Sequence, residues 1–403
     1  MTAQRRVAIT GAGTVNALAE GVPGTLAALA EGRVGIGPLE FVDVERLSIR
    51  IGGQVRGWSA EDRFSRAQIA LFDRATQFAM TASAEAVAQS GLTLSDAEAL
   101  RAGVIMGSAG GGYTTIDDAY RTVYPLGRNR VHPFTIPRLM HNAAAAHMAM
   151  AQGIKGPSFT VSTACASSNH AMGLAFQLIR SGAADVMLTG GAEATLCFGG
   201  IKAWEALRVL SPDGCRPFCA TRNGLVQGEG AAVLVFEDWE RARRRGADIL
   251  AEVAGFAMTS DAADIVVPEA DGAVRAMQGA MAQAGLAPGD VGYINAHGTG
   301  TAINDRTEAH AIRTQFGATL PLVSSTKSMH GHLLGATGAL EALACILALR
   351  DGIIAPTAGH RVTDADCPVD CVPNESRRAR VDAALSNAFA FGGMNACLAF
   401  KRA

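Results

Sequence analysis

The chain has 403 residues, 49% of them hydrophobic and 18% charged, with a formal net charge of −2. That composition can fill a large buried core and argues against disorder. A charge so close to zero argues against broad nucleic-acid binding. At this length two domains or two fused halves are expected, and the best division is soft, near residues 245–250, giving 1–247 and 248–403.

The N-terminus, Met-Thr-Ala-Gln-Arg-Arg, lacks the apolar region of a signal peptide. Arg6–Thr10 reads as a strand followed by a Gly11-Ala-Gly13 turn, which is not a full dinucleotide fingerprint because the third glycine is missing. Residues 23–32 read as a helix, 37–62 as irregular, and 65–89 as one long amphipathic helix. A strand over Ala102–Met106 runs into the glycine cluster Gly107–Gly112. Residues 113–153 look helical, with a loop at 133–137. After the strand Asp185–Thr189, a loop-rich region extends from Glu193 to Gly230.

Further strands are expected at 231–236, 248–257, 291–295, 321–325, 383–387 and 396–400, and helices at 239–245, 270–285, 305–316 and 338–350. Strands alternating with helices predict a mainly parallel α/β architecture. No run reaches the ~18 apolar residues of a membrane span. Even Ala339–Leu349 carries Glu341. The eight cysteines lack paired zinc-site spacing and read as reduced thiols. A soluble cytoplasmic enzyme is the expectation.

One stretch organises the rest. Ser158–Val161 is short and partly β-branched, and Ala166–Arg180 carries apolar residues at helical spacing, so Cys165 sits where a strand turns into a helix. Free N–H groups and the helix dipole there favour a thiolate, the nucleophilic form of cysteine. The placement also suits a buried small hydrophobe. Two histidines share one local setting: His297 follows an apolar strand and precedes Gly-Thr-Gly-Thr, and His332 ends Val323-Ser-Ser-Thr-Lys-Ser-Met-His-Gly-His. Each alone is ordinary. A metal site is disfavoured because no compact ligand spacing is present, and a Cys–His protease because its local signatures are missing.

Four ordered motifs carry a resemblance: Thr163-Ala-Cys-Ala-Ser167, Asn295-Ala-His-Gly-Thr-Gly-Thr301, Ser324-Ser-Thr-Lys-Ser-Met-His-Gly-His332 and Asn387-Ala-Phe-Ala-Phe-Gly-Gly-Met-Asn395. Together they resemble the elongating, Cys-His-His β-ketoacyl-[acyl-carrier-protein] synthases, from Arg6 to Phe400. The resemblance implies an α/β thiolase-like fold, two similar halves in a five-layer α-β-α-β-α sandwich, and a homodimer. It implies no cofactor and no metal.

It also implies roles. Cys165 would accept an acyl chain from a carrier-protein thioester. His297 and His332 would hydrogen-bond the malonyl thioester oxygen as CO2 leaves. The N–H groups of Cys165 and Phe391 would form a second oxyanion hole. Lys327, paired with Glu341, would order the site, with Asp305 and Glu308 in support. Thr299 and Thr301 resemble pantetheine contacts, and Phe391, with Phe389 beside it and Gly392 and Gly393 as hinge, resembles a gate for the acyl chain.

Departures from the family pattern bear on substrate. Gly110 stands where a bulky aliphatic residue is usual, which predicts a deeper acyl pocket or merely a tighter turn. Val266-Val267 replace hydroxyl side chains, Met394 and His330 replace threonines. His330-Gly-His332, Ser168-Asn-His170 and Trp204–Arg208 resemble the nodulation-type and secondary-metabolite branch, which implies a long or unsaturated acyl substrate with Trp204 in its pocket. Acyl carrier protein is acidic, so Arg208, Lys202 and Arg66 are candidate docking residues. The alternatives are a chain-length-factor-type subunit of a heterodimer, which lacks the nucleophilic cysteine, and a coenzyme A-dependent thiolase-like enzyme, which needs a second cysteine in the C-terminal glycine-rich loop.

Overall fold

Ten strands form one mixed sheet in the computed structural model, which describes residues 4–403. In chain order they are β1 (Val7–Asn16), β2 (Ala102–Gly107), β3 (Ser158–Val161), β4 (Val186–Glu193), β5 (Gly230–Asp238), β6 (Ala251–Ser260), β7 (Tyr293–Asn295), β8 (Leu322–Ser324), β9 (Ala383–Ala390) and β10 (Met394–Lys401). Their spatial order is β8-β7-β9-β10-β6-β1-β5-β4-β2-β3. Read outward from the centre, one side runs β1-β5-β4-β2-β3 and the other β6-β10-β9-β7-β8, so the same topology occurs twice. The two sides join where Val7–Ile9 of β1 lies antiparallel to Ala251–Val253 of β6.

Six helices build the layers: α1 (Arg74–Ser90), α2 (Ala143–Gln152), α3 (Ser167–Arg180), α4 (Ala270–Ala284), α5 (Ala302–Phe316) and α6 (Thr337–Asp351). α1 and α2 cover the outer face of the first five strands, and α4 and α5 that of the last five. α3 and α6 lie between, each touching strands of both sides. This is the five-layer thiolase-like sandwich. α6 is buried without a break from Thr337 to Leu349, as expected of a helix apolar on all sides. Among the described residues no helix is long and apolar enough to cross a membrane.

The expected mainly parallel sheet is corrected. β2 runs parallel to β3 and β4, and β7 to β8 and β9, but β5 and β10 are antiparallel to both neighbours. The β9–β10 connection is only Phe391–Gly393, and so tight a turn can join only antiparallel strands. The predicted long helix over 65–89 is two helices, Arg66–Leu71 and α1. Between them the buried Asp73 caps α1 through Ala75 N (3.0 Å) and accepts from Thr114 Oγ1 (2.7 Å) and Thr115 Oγ1 (2.6 Å). The predicted loop at 133–137 is partly helical, over Thr135–Leu139, and the region after Glu193 contains the helix Phe198–Ala206.

Gly11-Ala-Gly13 is not a turn but part of β1. The glycines serve close helix–strand packing: a Cβ at Gly13 would stand 2.0 Å from Ala82 O of α1, and one at Gly11 2.3 Å from Ala86 O. Gly13→Ala is therefore expected to destabilise the fold by about 3 kcal/mol through overpacking, read as a lowered unfolding midpoint. Gly289→Ala, where an added Cβ meets nothing within 4 Å, should leave the midpoint unchanged.

Candidate active site

Cys165 follows β3 through a strained turn. Ala164 holds φ at 47°, in the left-handed region that non-glycine residues avoid. The turn is clamped from α3: Ser167 Oγ accepts from Thr163 N (2.9 Å) and donates to Ala164 O (2.6 Å). His170 Nδ1 lies 2.9 Å from Thr163 Oγ1 and 3.1 Å from Ala166 O. Cys165 is 8% exposed, and the N–H groups of Cys165 and Phe391 reach its sulfur.

The resting sulfur is not the thiolate that the helix mouth predicts. Burial pushes the Cys165 thiol up to about 12, and the nearby Glu193 adds to that. The Lys327 charge and the two backbone N–H groups pull the other way without overcoming it. α3 begins two residues beyond Cys165, so its partial charge competes poorly with dehydration of a whole anion.

His297 follows β7 on a glycine-rich loop. Glu308 of α5 holds that loop by accepting His297 N (2.8 Å) and Gly298 N (2.7 Å). Asp305, one turn earlier, accepts Gly300 N (3.1 Å) and Phe218 N (2.9 Å). Both acids thus shape the backbone and present no oxygen of their own to the sulfur. His332 follows β8 and the short helix Lys327–His330, and its backbone is tied to Val226 O (2.6 Å) and Gly228 N (2.8 Å).

These three segments converge. One nitrogen of His297, one of His332 and the Cys165 sulfur all lie within 4.8 Å of one another. The two rings meet edge to face, with centroids 5.5 Å apart at 82°. Burial, then the Lys327 charge, hold both imidazoles well below their ordinary value, so both are neutral at pH 7. One thiol and two imidazoles so close also make a metal-ligating set. The Lys327 ammonium beside all three opposes a cation there.

Lys327 is fully buried and donates to Glu341 Oε1 of α6 at 2.6 Å. Burial raises the Glu341 carboxyl, and the ammonium draws it back. Phe391 stacks on Trp204, with ring centroids 5.9 Å apart at 22°, and Phe389 meets the His297 ring at 6.2 Å. Gly392 and Gly393 take φ of 83° and 66°. Thr299 and Thr301 face each other, with hydroxyls 3.0 Å apart. A Cβ on Gly110 would stand 3.1 Å from both Glu193 Oε1 and Thr195 Cγ2, and 3.3 Å from Tyr113, so a bulky side chain has no ready space there.

Lys202 pairs with Glu205 at 2.8 Å, and Arg208 is exposed just beyond the Trp204 helix. Arg66 is exposed on a separate helix, Arg66–Leu71. Sequence reasoning missed Glu193. Its carboxylate, fully buried at the end of β4, accepts Ala109 N (2.7 Å), Gly110 N (3.0 Å) and Gly335 N (3.1 Å). It thereby ties the loop after β2 to the loop after His332. An acid closing the otherwise uncharged strand Gly190-Gly-Ala-Glu193 was the available signal. Thr337 and Asn387, which contact His332 and Glu308, were also missed.

Burial raises the Glu193 and Glu308 carboxyls from 4.5 to about 7. The native state then keeps protons that the unfolded chain releases. This stabilising contribution is present below about pH 4.5 and is lost as pH rises through about 7. The buried neutral histidines titrate in the opposite sense, so the acids are read by difference: the urea midpoint of the natural protein minus that of Glu193→Gln should fall between about pH 5 and about pH 8. A difference that rises over that range contradicts the assignment.

The comparisons with known proteins agree with this geometry. Residues 4–242 match the family model for the β-ketoacyl synthase N-terminal domain, and residues 250–361 the one for its C-terminal domain. The chain is 46% identical over 400 residues to nodulation protein E of Rhizobium leguminosarum bv. trifolii, covering 99% of both. It is 41% identical over 412 residues to 3-oxoacyl-[acyl-carrier-protein] synthase 2 of Staphylococcus aureus, covering 100% of this chain and 99% of the other. Among solved structures it resembles the ishigamide ketosynthase/chain length factor, with a TM-score of 0.96, 36% identity and full coverage of both chains. A cysteine and two histidines brought to one point by this fold, and family models matching both parts of the chain, place the protein in the β-ketoacyl synthase family.

Proposed function

We propose that the protein is a β-ketoacyl-[acyl-carrier-protein] synthase that extends an acyl chain held on Cys165 by two carbons, using malonyl-acyl carrier protein. The carrying observation is the convergence of one sulfur and two neutral imidazoles within 4.8 Å, beside a pair of N–H groups directed at that sulfur.

In the first step the Cys165 sulfur attacks the acyl thioester. The Cys165 and Phe391 N–H groups stabilise the oxyanion, and the carrier leaves as a thiol carrying the proton that the sulfur gives up. In the second step the malonyl C–C bond breaks, CO2 departs and the electron pair forms an enolate. His297 and His332 donate hydrogen bonds to its oxygen, where neutral imidazoles suit a charge that develops only during reaction. The enolate carbon attacks the acyl-Cys165 carbonyl, the C–S bond breaks, and the cysteine thiolate so released takes up a proton from solvent. Burial, helped by the Lys327 charge, keeps both imidazoles neutral. Phe391 gates the acyl chain, its ring resting on Trp204, and Thr299 and Thr301 line the path of the pantetheine arm.

A thiolase-like reaction with coenzyme A thioesters is disfavoured. The turn Phe391–Gly393 carries no cysteine, and Cys397 is fully buried within β10. A purely supporting subunit is disfavoured by the presence of Cys165 with both histidines. The likeness to a ketosynthase/chain length factor pair supports a two-subunit assembly, as homodimer or heterodimer. Lys202 and Arg208 beside the Trp204 helix are proposed to receive the acidic carrier protein, with Arg66 a more distant contributor. Eight free cysteines fit a reducing cytoplasmic setting. The likeness to nodulation protein E supports a long or unsaturated acyl substrate.

Incubation with acyl-carrier protein should leave an acyl adduct on Cys165 by mass spectrometry, and none in Cys165→Ala. His297→Asn and His332→Asn should keep the adduct but lose malonyl decarboxylation by about 10²–10³-fold each. An unmodified Cys165 would sink the reading. In side-by-side elongation, polyunsaturated acyl-carrier proteins should outcompete short saturated ones, and the reverse preference would remove the substrate assignment alone.

A further inference from the structure

No step of the condensation uses His330, yet it is fully buried one turn after Lys327 and two residues before His332. Burial, then the Lys327 charge, hold its imidazole down to about 3, so the ring is neutral at pH 7. A neutral imidazole carries one N–H, and here both nitrogens have partners. Nδ1 lies 2.7 Å from Gly331 O, and Nε2 lies 3.0 Å from Thr326 Oγ1. A carbonyl oxygen can only accept, so the ring proton is on Nδ1. Nε2 then accepts, and the Thr326 hydroxyl is its donor.

The protons farther along follow from that fixed end. Thr326 Oγ1 has given its proton to His330, so Asn295, 3.3 Å away, must face it with the amide nitrogen. Asn295 Nδ2 directs its second proton at Tyr293 OH (3.1 Å), and that hydroxyl lies 2.8 Å from Ser324 Oγ. Tyr293, Asn295, Ser324, Thr326 and His330 are all 0% exposed, so bulk water does not compete for these partners. Asn295 closes β7 two residues before His297, and Ser324 closes β8 three residues before Lys327.

The other end of this chain is the peptide between Gly331 and His332. Its carbonyl accepts from His330 Nδ1, and its N–H, that of His332, donates to Val226 O at 2.6 Å. Gly331 takes φ of 76°, a conformation glycine adopts freely, and offers no side chain to hold it. The His330 ring supplies that hold from one side and Val226 from the other. A single imidazole therefore spans from the end of the strand that carries His297 to the backbone of His332.

We propose that His330 is a positioning residue: its ring ties the His332 backbone to the β7 strand end and keeps the two imidazoles of the site at the separation the enolate oxygen needs. This rests on the condensing reading, but the spectroscopic readouts do not. In substrate-free protein labelled with 15N-histidine, His330 should report a protonated Nδ1 and an unprotonated Nε2 between about pH 5 and about pH 8. The His332 resonances should shift in His330→Leu and return in His330→Asn, whose amide still donates to Gly331 O. Malonyl decarboxylation should fall about tenfold in His330→Leu, short of the ~10²–10³ that losing an oxyanion donor costs. Acylation of Cys165 should keep its rate, and His330→Asn should restore most of the decarboxylation. Thr326→Val, which acts through His330, should slow decarboxylation in the natural background and add nothing to His330→Leu. A ring protonated at Nε2, additive losses in the double variant, or equal loss of both half-reactions overturns the proposal. Absence of decarboxylation in the natural protein overturns the proposed function alone, because the His332 resonances of the Leu and Asn variants then decide whether the bridge exists.

Discussion

The buried ion pair between Lys327 and Glu341 is the interaction on which the site rests. An ammonium with no exposure cannot stay charged without a partner, and removing one member of such a pair typically costs about 3–5 kcal/mol. The pair does more than satisfy itself. Its positive end adds to the burial that holds His297 and His332 neutral and draws the Cys165 thiol downward. Its negative end is carried by α6, the most deeply buried helix of the molecule. Thr337 stands one turn before Glu341, so the two side chains share a helix face. One buried helix therefore carries both the carboxylate that anchors Lys327 and the hydroxyl that lies against His332.

The repeated topology explains why three distant segments meet. β3 and β8 hold equivalent places at the two ends of the sheet, and Cys165 and His332 follow them. The helices that come next, α3 and α6, are the paired inner layer. His297 follows β7, the counterpart of β2, whose own loop is held to the site by Glu193. A site between the inner helices and the strand ends draws on both parts of the chain, as open α/β sheets place their ligands.

Dryness has a consequence for chemistry. Cys165 is nearly sealed and its thiol lies far above neutrality. Activation must then come from the substrate and the N–H groups around the sulfur, since a standing thiolate is too costly in that environment. The same exclusion of water protects an enolate once formed. Phe391, in the turn between β9 and β10, stacks on Trp204.

The sequence by itself determined the alternation of strands and helices, the duplicated length, and the motifs around Cys165, His297, Lys327 and His332. Those were legible because turns, strand ends and glycine-rich loops are written locally, in residues that permit few backbone conformations. Gly11 and Gly13 show the limit: a glycine that serves a turn and one that admits a helix look alike along the chain, and only the approach of α1 tells them apart. The mixed direction of the sheet, the carboxylate of Glu193 bridging two loops, the hydroxyl of Thr337 beside His332 and the raised thiol of Cys165 were decided by tertiary structure. Each depends on what lies across space from a residue and on how much water remains there, and neither quantity is a property of neighbouring letters.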